Sequence, residues 1–549
     1  MKHLVILSSG EGPLGAVIFS VVRQQRWLVA GCHAITLLLL ALHFYVRTLP
    51  TTPTALPEAD SAEAAWWGLW PITYLPTWAL IVATTLIVSY IIGWWCSEFL
   101  LWPQSRITNH ESRITLPLLF ALLSLLLILA FYTFPIVHTR WGDAYLLSKA
   151  IGWPDPTLRL THSWQAPLDV FLHSQLWLRW HERFGWTDAL PVYRLLSPVA
   201  GFFYLLAAVG VARNQSNSPR WLTFGLLTSL GVLQLFFGYI ENYSFAAAGI
   251  LLYLWLGLRV VTGRSPLWLA ASALALTNAF HPSTVILAPS LLYCGWVCWR
   301  KQRRTQNKST LGTVLSTGAA IVLPLLIGGL AVIGLMEWGG HGLAALMSTD
   351  RPGGGDGRPF VPLWATTTRW EHYTMFSWLH LRDFLNQQLL VAPVVLPGLL
   401  LVMLAALGEK VRSRQPERTA SDDAVATQGV DKRIFRAGSP RQAHEPVQPA
   451  RTMVLSALEL RLSQQFLCYA TVSYLLFIWL WNPDYGGQRD WDLFSLAAIP
   501  SALLLATTLP RRFADLRYLQ AGTIPLLMLQ WFQLAAWVYQ NTLPWDWPS

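Results

Sequence analysis

Charged residues are scarce in this chain. Of its 549 residues, 12% are Asp, Glu, Lys or Arg, whereas 54% are hydrophobic. A soluble domain carries about twice that charged fraction, so the scarcity excludes an ordinary water-soluble protein and indicates that lipid is the main solvent. The net charge of +10 does not predict nucleic-acid binding, because the basic residues lie in short stretches between apolar runs, where they act as orientation signals.

Cysteine frameworks and common catalytic motifs are also lacking. The five cysteines are odd in number and lie in or beside apolar runs, which gives neither a disulfide framework nor a paired CxxC metal site. No segment matches HExxH, Walker A or GxSxG, the signatures of zinc proteases, P-loop nucleotide-binding proteins and serine hydrolases. We therefore predict no metal ligand and no certain cofactor. A divalent cation stays open as a cofactor.

Long hydrophobic runs, in contrast, are abundant. A helix needs about 20 apolar residues to cross the hydrocarbon layer of a bilayer. This criterion predicts an all-α polytopic membrane protein. We expect about thirteen transmembrane helices, at residues 28–46, 73–97, 114–137, 190–212, 221–238, 244–261, 266–280, 283–299, 311–335, 389–408, 463–481, 496–510 and 519–540.

A proline divides the longest apolar stretch. Residues 266–299 as a single helix would be about 51 Å long at about 1.5 Å per residue, against a hydrocarbon layer of about 30 Å. Pro282 lies in the middle of this stretch, and the residue before a proline, here His281, is pushed away from helical geometry. We predict two short helices that meet at a polar elbow, residues 278–283.

Lys and Arg favour one side of the membrane when the predicted spans alternate from a cytoplasmic N-terminus. The inner segments then hold 27 of the 39 Lys and Arg residues, and such an excess sets orientation in a plasma membrane. The chain divides into a transmembrane core, a disordered basic cytoplasmic loop poor in aromatics and a C-terminal transmembrane segment. The core is 1–408 with extracytoplasmic loops 138–189 and 336–388, the cytoplasmic loop is 409–462, and the last segment is 463–549.

Five polar segments fall on the outer side in this arrangement. The first loop contains residues 138–145, followed by a Trp- and Leu-rich stretch to Trp180 whose helical spacing predicts helices in the plane of the interface. The others are the turn 238–243, the elbow, the loop 336–388 and the segment 482–494. Together they predict a polar, aromatic-rimmed cavity that opens outward.

The first of these segments resembles a known site. An acidic residue just after a span, followed by in-plane helices, is similar to the first large outer loop of the GT-C superfamily of membrane glycosyltransferases, including mannosyl- and arabinosyltransferases. The resemblance rests on Phe134-Pro135-Ile136-Val137 and Arg140-Trp141-Gly142-Asp143-Ala144-Tyr145 and covers residues 114–400 in layout. Many members have a second acid beside the first, whereas Ala144 and Tyr145 follow Asp143 here, so the resemblance implies no particular metal ligand.

The resemblance implies a reaction on the extracytoplasmic face. A hexosyl or pentosyl group passes from a polyprenyl-phosphate donor to a lipid, glycan or protein acceptor, with membrane lipids around the protein. Asp143 suits the base that activates the acceptor hydroxyl, in a single inverting displacement. Arginine suits the phosphate, because guanidinium forms two parallel charge-assisted hydrogen bonds with it. Arg489 comes first for that contact and Arg351 second, with His281 as a further donor.

Other polar residues are expected to bind the sugar. Glu241 and Asn242 suit its hydroxyls, and Trp141 or Trp491 suits a pyranose face. The predicted catalytic residue is thus Asp143, and the predicted substrate-binding residues are Arg140, Trp141, Tyr145, Glu241, Asn242, His281, Arg351, Arg489, Asp490 and Asp492.

Other interpretations stay open. Asp143 can cap a helix that begins at Ala144, and Glu241 and His281 can be ordinary turn residues. The glycines of 353–357 can form a flexible loop, and the acids around Arg489 a salt-bridged cap. As a whole, the chain can be a transporter or flippase for a lipid-linked or amphipathic solute, or a noncatalytic scaffold. Against transport, we find no matched pair of interrupted helices, and the spans carry few ionisable groups.

Overall fold

The computed structural model describes residues 13–50, 62–99, 115–214, 218–305, 309–346, 358–414 and 447–545. These residues are mostly helical and contain no β-strand, only an isolated bridge between Phe360 and Trp481. The α-helices are α1 Pro13–Thr48, α2 Ala62–Ala65, α3 Thr77–Phe99, α4 Thr115–Thr133, α5 Ala144–Ile151, α6 Pro167–Phe184, α7 Leu190–Asn214, α8 Arg220–Thr228, α9 Ser244–Val261, α10 Leu267–Phe280, α11 Ala288–Thr305, α12 Thr310–Trp338, α13 Leu343–Leu346, α14 Trp378–Val391, α15 Val395–Arg414, α16 Val447–Leu480, α17 Trp491–Ser495, α18 Ala498–Thr508 and α19 Leu516–Asn541. Short 3-10 helices lie at Trp70–Tyr74, Pro156–Leu158, Gly231–Phe236, Pro282–Leu287 and Leu509–Arg512.

The protein is a polytopic membrane protein, as predicted. Nine helical segments among the described residues are long and apolar enough to cross a bilayer, and the bent pair α14 and α15 adds a tenth if it is one span. The count of thirteen spans is not confirmed. Several predicted spans are short or broken, because the apolar run there is divided: α10 has only 14 residues, and the predicted span 221–238 is split into α8 and a 3-10 helix.

Two broken helices meet inside the bundle. The α14–α15 pair bends by 101°. Ala392, the first residue of that break, has a φ of −159°, which is not helical, as expected for a residue that precedes a proline, here Pro393. The other break lies between α8 and the 3-10 helix that begins at Gly231, where a β-carbon would lie 2.6 Å from the Leu390 carbonyl oxygen. The sequence shows no matched pair of interrupted helices in two halves, but the structure brings these two breaks into contact.

A polar side chain of α19 contacts the break between α8 and the 3-10 helix that begins at Gly231. The Gln530 amide of α19 donates to Ser229 Oγ at 2.8 Å and to the Leu226 carbonyl at 3.4 Å. Non-helical backbone at membrane depth needs such partners, since lipid offers none. α19 also packs against α1 and α3, while α16 and α18 pack against α9 and α15. Residues 463–545 of the C-terminal segment are thus part of the same helical bundle as the N-terminal core.

Ion pairs join loop segments that are distant in the chain. At one end of the bundle, Arg512 forms an ion pair with Glu409 at 2.6 Å, and Arg26 with Glu98 at 3.0 Å. Arg26, Glu409 and Arg512 belong to segments predicted to be cytoplasmic, and Glu98 directly follows the span predicted at 73–97. Segments predicted to be extracytoplasmic likewise contact one another, as the candidate site shows below.

The large loops differ in part from their predicted boundaries. The loop 138–189 contains α5 and α6, so the predicted helices after Asp143 are present; α6 begins with Pro167 at its first turn and ends at Gly185, whose φ is +64°, both favourable positions for these residues. α14 begins inside the predicted loop 336–388, and α15 and α16 enter the predicted disordered loop 409–462 from both sides. Residues 347–357, with Arg351 and the glycine run, and residues 415–446 lie outside the described residues.

Candidate active site

Three chain segments meet at Gly142, which precedes α5. The Gly142 N–H donates to the Arg489 carbonyl at 3.0 Å. A β-carbon at position 142 would overlap Glu241 Oε1 and would lie 3.0 Å from Asp492 Oδ2. The φ of Gly142 is +49°, a conformation that residues with a side chain rarely adopt. Gly142 therefore brings Asp143, Glu241 and the 489–492 segment into one cluster.

Asp143 occupies the N-cap position of α5 without capping the helix through its side chain. Its carboxylate instead accepts hydrogen bonds from the Tyr485 hydroxyl and the Gln165 amide. Burial raises the pKa of Asp143, and these two hydrogen bonds oppose the increase. The simple helix-cap interpretation does not describe this side chain, which is held between two loop segments, those of Gln165 and Tyr485.

Glu241 holds the backbone of the Asp143 turn. Its Oε1 accepts a hydrogen bond from the Asp143 N–H, and its Oε2 accepts one from the Asn242 N–H at 3.3 Å. Only 4% of Glu241 is exposed. Burial, and then the neighbouring Asp492 and Asp143, raise its pKa well above the usual range. The expected contact of Glu241 with a sugar hydroxyl does not fit this placement, because backbone donors occupy its oxygens.

Asp490 and Asp492 begin α17 and point to different partners. Asp490 Oδ2 accepts the Tyr485 N–H at 2.9 Å rather than capping the helix. Asp492 Oδ2 accepts the Tyr239 hydroxyl at 2.9 Å. Burial, followed by repulsion from Asp492, raises the pKa of Asp490 well above its usual range. The site therefore gathers four carboxyl groups, which compete for the same protons.

Two arginines belong to the same chain segments as these carboxyl groups, Arg140 to that of Asp143 and Arg489 to that of Asp490. Arg140 forms a buried ion pair with Glu63, and its guanidinium lies 4.7 Å from the ring centres of Trp141 and Trp545. Burial and the nearby charge of Arg489 lower the pKa of Arg140 to about 9. Arg140 thus already has an anionic partner, whereas it was predicted to bind substrate directly.

Trp141 and Trp491 are buried next to the carboxyl cluster. Each is 1% exposed, and the ring of Trp537 lies 5.3 Å from Trp141 and 5.4 Å from Trp491. The Trp141 indole N–H donates to Asn541 Oδ1 at 2.7 Å. Buried rings offer no face to a sugar, so the expected stacking role does not fit. Tyr145, on α5, is half exposed.

His281 and Asn242 are buried on the α9 and α10 side of the site. The Ser283 N–H donates to His281 Nδ1 at 3.3 Å, and the His281 ring lies 4.6 Å from that of Tyr243. Burial lowers the pKa of His281 to about 4. The ring is therefore neutral with its proton on Nε2, a buried atom without a partner. Asn242 Oδ1 accepts the Tyr193 hydroxyl at 3.5 Å.

Several residues around the site were not predicted. Asp169 is fully buried and lies 3.1 Å from His173 Nδ1, while the His173 ring stacks on Tyr193 at 4.0 Å. Asp169 and His173 are four residues apart, which places them on one helix face. This spacing could have been used to predict that they contact each other. Asp383 accepts the Trp67 indole N–H at 2.8 Å and the Gly487 N–H at 3.1 Å, and so anchors the segment that carries Arg489.

No metal arrangement is found within the residues that the structure describes. Among them, no group of three or more His, Cys, Asp or Glu side chains is placed to hold a metal ion. The four carboxyl groups bind backbone and hydroxyl donors instead.

Comparisons with known proteins identify no relative. No family model matches the chain, and no curated protein or solved structure matches it significantly. Function is therefore inferred from the site itself, from its carboxyl groups, its arginines and its position at one end of a membrane-embedded bundle.

Proposed function

We propose that the protein is a membrane glycosyltransferase that moves a sugar from a polyprenyl-phosphate donor to an acceptor on the extracytoplasmic face. One observation carries the proposal: the turn before Asp143 is joined to the segment that carries Arg489, because the Gly142 N–H donates to the Arg489 carbonyl at 3.0 Å. A base and a cation at one end of the bundle suit a reaction whose donor stays in the membrane and whose leaving group is an anion.

Asp143 is the proposed base. Its carboxylate takes the proton of the acceptor hydroxyl, whose oxygen attacks the anomeric carbon while the bond from that carbon to the phosphate oxygen breaks. The electron pair of the broken bond leaves with polyprenyl phosphate, and the sugar is inverted. Arg489 is the proposed partner of the phosphate, since fixed positive charge stabilises the anion as it forms. Asp490 and Asp492 hold the arginine-bearing segment.

The protonation pattern of the site supports Asp143 in this role. A base has to be ionised, and four neighbouring carboxyl groups do not all ionise readily. Glu241 and Asp490 have pKa values well above the usual range, so they retain protons as the pH rises. Burial raises the pKa of Asp143 as well, but hydrogen bonds from Tyr485 and Gln165 oppose that increase and favour its charged form.

The orientation and the full span count belong to the same proposal. The thirteen spans rest on the lengths of the apolar runs, and a cytoplasmic N-terminus in a plasma membrane rests on the distribution of Lys and Arg. The separation of loop contacts between the two ends of the bundle supports the alternation. An in-plane position for α6 is supported by its two faces, with Asp169, His173 and Trp177 buried and Trp180 and Phe184 exposed.

A transporter or flippase is the second candidate, and one observation favours it. The two broken helices meet at Gly231, and Gln234 nearby is fully buried with neither side-chain amide atom hydrogen-bonded. Discontinuous helices in contact at membrane depth are typical of transporter binding sites. Movement of a fluorescent lipid-linked solute across proteoliposomes, with no covalent change to it, would favour this candidate.

The direct test is sugar transfer by the purified, reconstituted protein. The donor is a radiolabelled polyprenyl-phosphate sugar, and lipid, glycan and peptide acceptors are supplied in turn. We expect the wild type to release polyprenyl phosphate and Asp143→Asn to lose transfer while remaining folded. Asp155→Asn, an exposed residue of the same loop, is the matched control and keeps activity. Full transfer by Asp143→Asn would remove Asp143 from the base role.

A further inference from the structure

A long apolar groove lies between α10 and α12. Its volume is about 630 Å³, and its lining is aliphatic apart from Trp268 and Ser272. Small residues bring the two helices close together: a β-carbon on Gly328 of α12 would lie 3.0 Å from the Ala275 β-carbon of α10. Ala331 lies one turn further along α12 on the same wall. An aliphatic groove among membrane-embedded helices favours hydrocarbon, because it offers almost no polar partner.

The length of the groove suits one extended chain. Its lining runs along α12 from Ala319 to Leu335, a distance of about 24 Å at the helical rise of about 1.5 Å per residue. This is most of a hydrocarbon layer of about 30 Å. Because the two helices are in contact at Gly328, the groove between them is narrow and leaves room for one chain rather than for the paired chains of a bilayer phospholipid.

One end of the groove adjoins the candidate active site. Leu168, at the start of α6, lines it. Leu168 is three residues from Gln165, whose amide donates to the Asp143 carboxylate, and three residues span at most about 11 Å. The Trp164 indole N–H donates to the His341 carbonyl at 2.8 Å, which ties the same loop to the end of α12. The loop that limits the groove therefore also contacts Asp143.

A second groove lacks this connection. It lies between α1 and α15 and is lined by Gln24 and Glu409, residues of the segments predicted to be cytoplasmic. An amphiphile in that groove would present its head at the opposite end of the bundle from Asp143.

We infer that the groove between α10 and α12 holds the isoprenoid chain of the donor. This inference rests on the proposed function and adds the place where the donor enters: sideways from the bilayer, between these two helices. The chain lies against the small residues, and its phosphate-bearing end emerges beside Gln165 and Asp143. The groove thereby limits the positions that the anomeric carbon can take relative to the base.

Photolabelling tests the inference without requiring turnover. The probe is a polyprenyl phosphate with a diazirine in the half of its chain nearest the phosphate, bound to the full-length protein in nanodiscs. We expect labelled peptides from α10 and α12. Ala331→Phe fills the groove and lowers the labelling about tenfold, as expected when buried contacts of the chain are lost. Gly329→Phe, on the same helix where a β-carbon meets nothing within 4 Å, keeps the labelling.

The outcomes separate this inference from the proposed function. Labelling of other helices, or equal labelling of the two phenylalanine variants, would overturn the inference. So would full displacement of the probe by an equal amount of phosphatidylglycerol, since the groove would then hold ordinary bilayer lipid. Labelling in the groove by a protein that transfers no sugar would refute the glycosyltransferase and leave the groove as a polyprenyl-phosphate site. Sugar transfer together with labelling elsewhere would refute the groove alone.

Discussion

The carboxylate of Glu241 accepts a hydrogen bond from the backbone N–H of Asp143. These residues are 98 positions apart, and the contact fixes the turn that presents the Asp143 side chain. Glu241 thus acts on the site through the backbone of another residue. The turn also depends on Gly142, which leaves space for the Glu241 oxygen because it has no β-carbon.

Gly142→Ala should disrupt this turn. Alanine is strained at a φ of +49°, and its β-carbon overlaps Glu241 Oε1. We expect sugar transfer to fall sharply and stability to drop by about 1–3 kcal/mol from the backbone strain, with more from the overlap. The control is Gly185→Ala, which has a φ of +64° and nothing within 4 Å of the added carbon. Equal transfer and equal melting temperatures for the two variants would show that the Glu241 contact is unimportant.

Tyr485→Phe should change the pH dependence of activity. The Tyr485 hydroxyl donates to the Asp143 carboxylate and lowers its pKa, in opposition to burial. Without that hydrogen bond the pKa of Asp143 rises, so the acidic limb of the pH–rate profile should move to higher pH. The profile of kcat against pH measures this shift. Tyr132→Phe, on an exposed tyrosine of α4, should leave the profile in place; a shift to lower pH in Tyr485→Phe would contradict the assignment.

Glu63→Gln should destabilise the protein. Glu63 pairs with Arg140 where the two side chains are only 7% and 10% exposed. Removal of one partner leaves a buried charge, which costs about 3–5 kcal/mol. Thermal unfolding in detergent measures the loss. Glu98→Gln breaks the more exposed pair with Arg26 and should cost less than about 1 kcal/mol. Similar melting temperatures for both variants would argue against a stabilising role for the Arg140 pair.

Arg489→Ala should weaken donor binding more than acceptor binding. A charge-assisted hydrogen bond to phosphate contributes about 1.5–3 kcal/mol, so KM for the donor should rise by about 10- to 100-fold. The matched control is Arg369→Ala. Arg369 is exposed, and its guanidinium lies over Trp370. An equal rise in KM for donor and acceptor would indicate that Arg489 has a structural role only.

Thiol labelling should locate the two ends of the bundle. The native free cysteines include exposed Cys96 and Cys468, so all are first replaced. A new cysteine at Tyr145, which is 50% exposed, should react with an impermeant reagent on intact cells. One at Arg300 should react only after the cells are made permeable. The reverse pattern would place Asp143 on the cytoplasmic side and would be incompatible with an extracytoplasmic transferase.

Helix positions could be predicted where an apolar run is long and continuous. The span predicted at 244–261 coincides with α9, and Pro282 marked the break before α11. The break at Ala392 was missed even though Pro393 was visible, because α14 carries Arg382, Asp383 and two glutamines and so resembles a loop. Such a helix is stabilised by packing against the rest of the bundle, which no local pattern reveals.

Parts of the site could be predicted and others could not. Asp143, Glu241 and the segment 489–492 lie together. This could be predicted because the alternation of the spans assigns their loops to the same end of the bundle. The partner of Arg140 was not predictable, since Glu63 is 77 residues away and nothing in the sequence connects them. The burial of Trp141 was also missed, because a tryptophan at a membrane interface has the same sequence context whether its ring is covered or exposed.

The hydrogen bond from Trp141 to Asn541 joins residues 400 positions apart, and Trp545 lies over the Arg140 guanidinium. A nascent chain therefore inserts most of its helices before these contacts can form. During biosynthesis, the contacts of Trp141 and Arg140 cannot be completed until α19 has been inserted into the membrane. A ribosome that stops before Asn541 would release a protein that is embedded but inert.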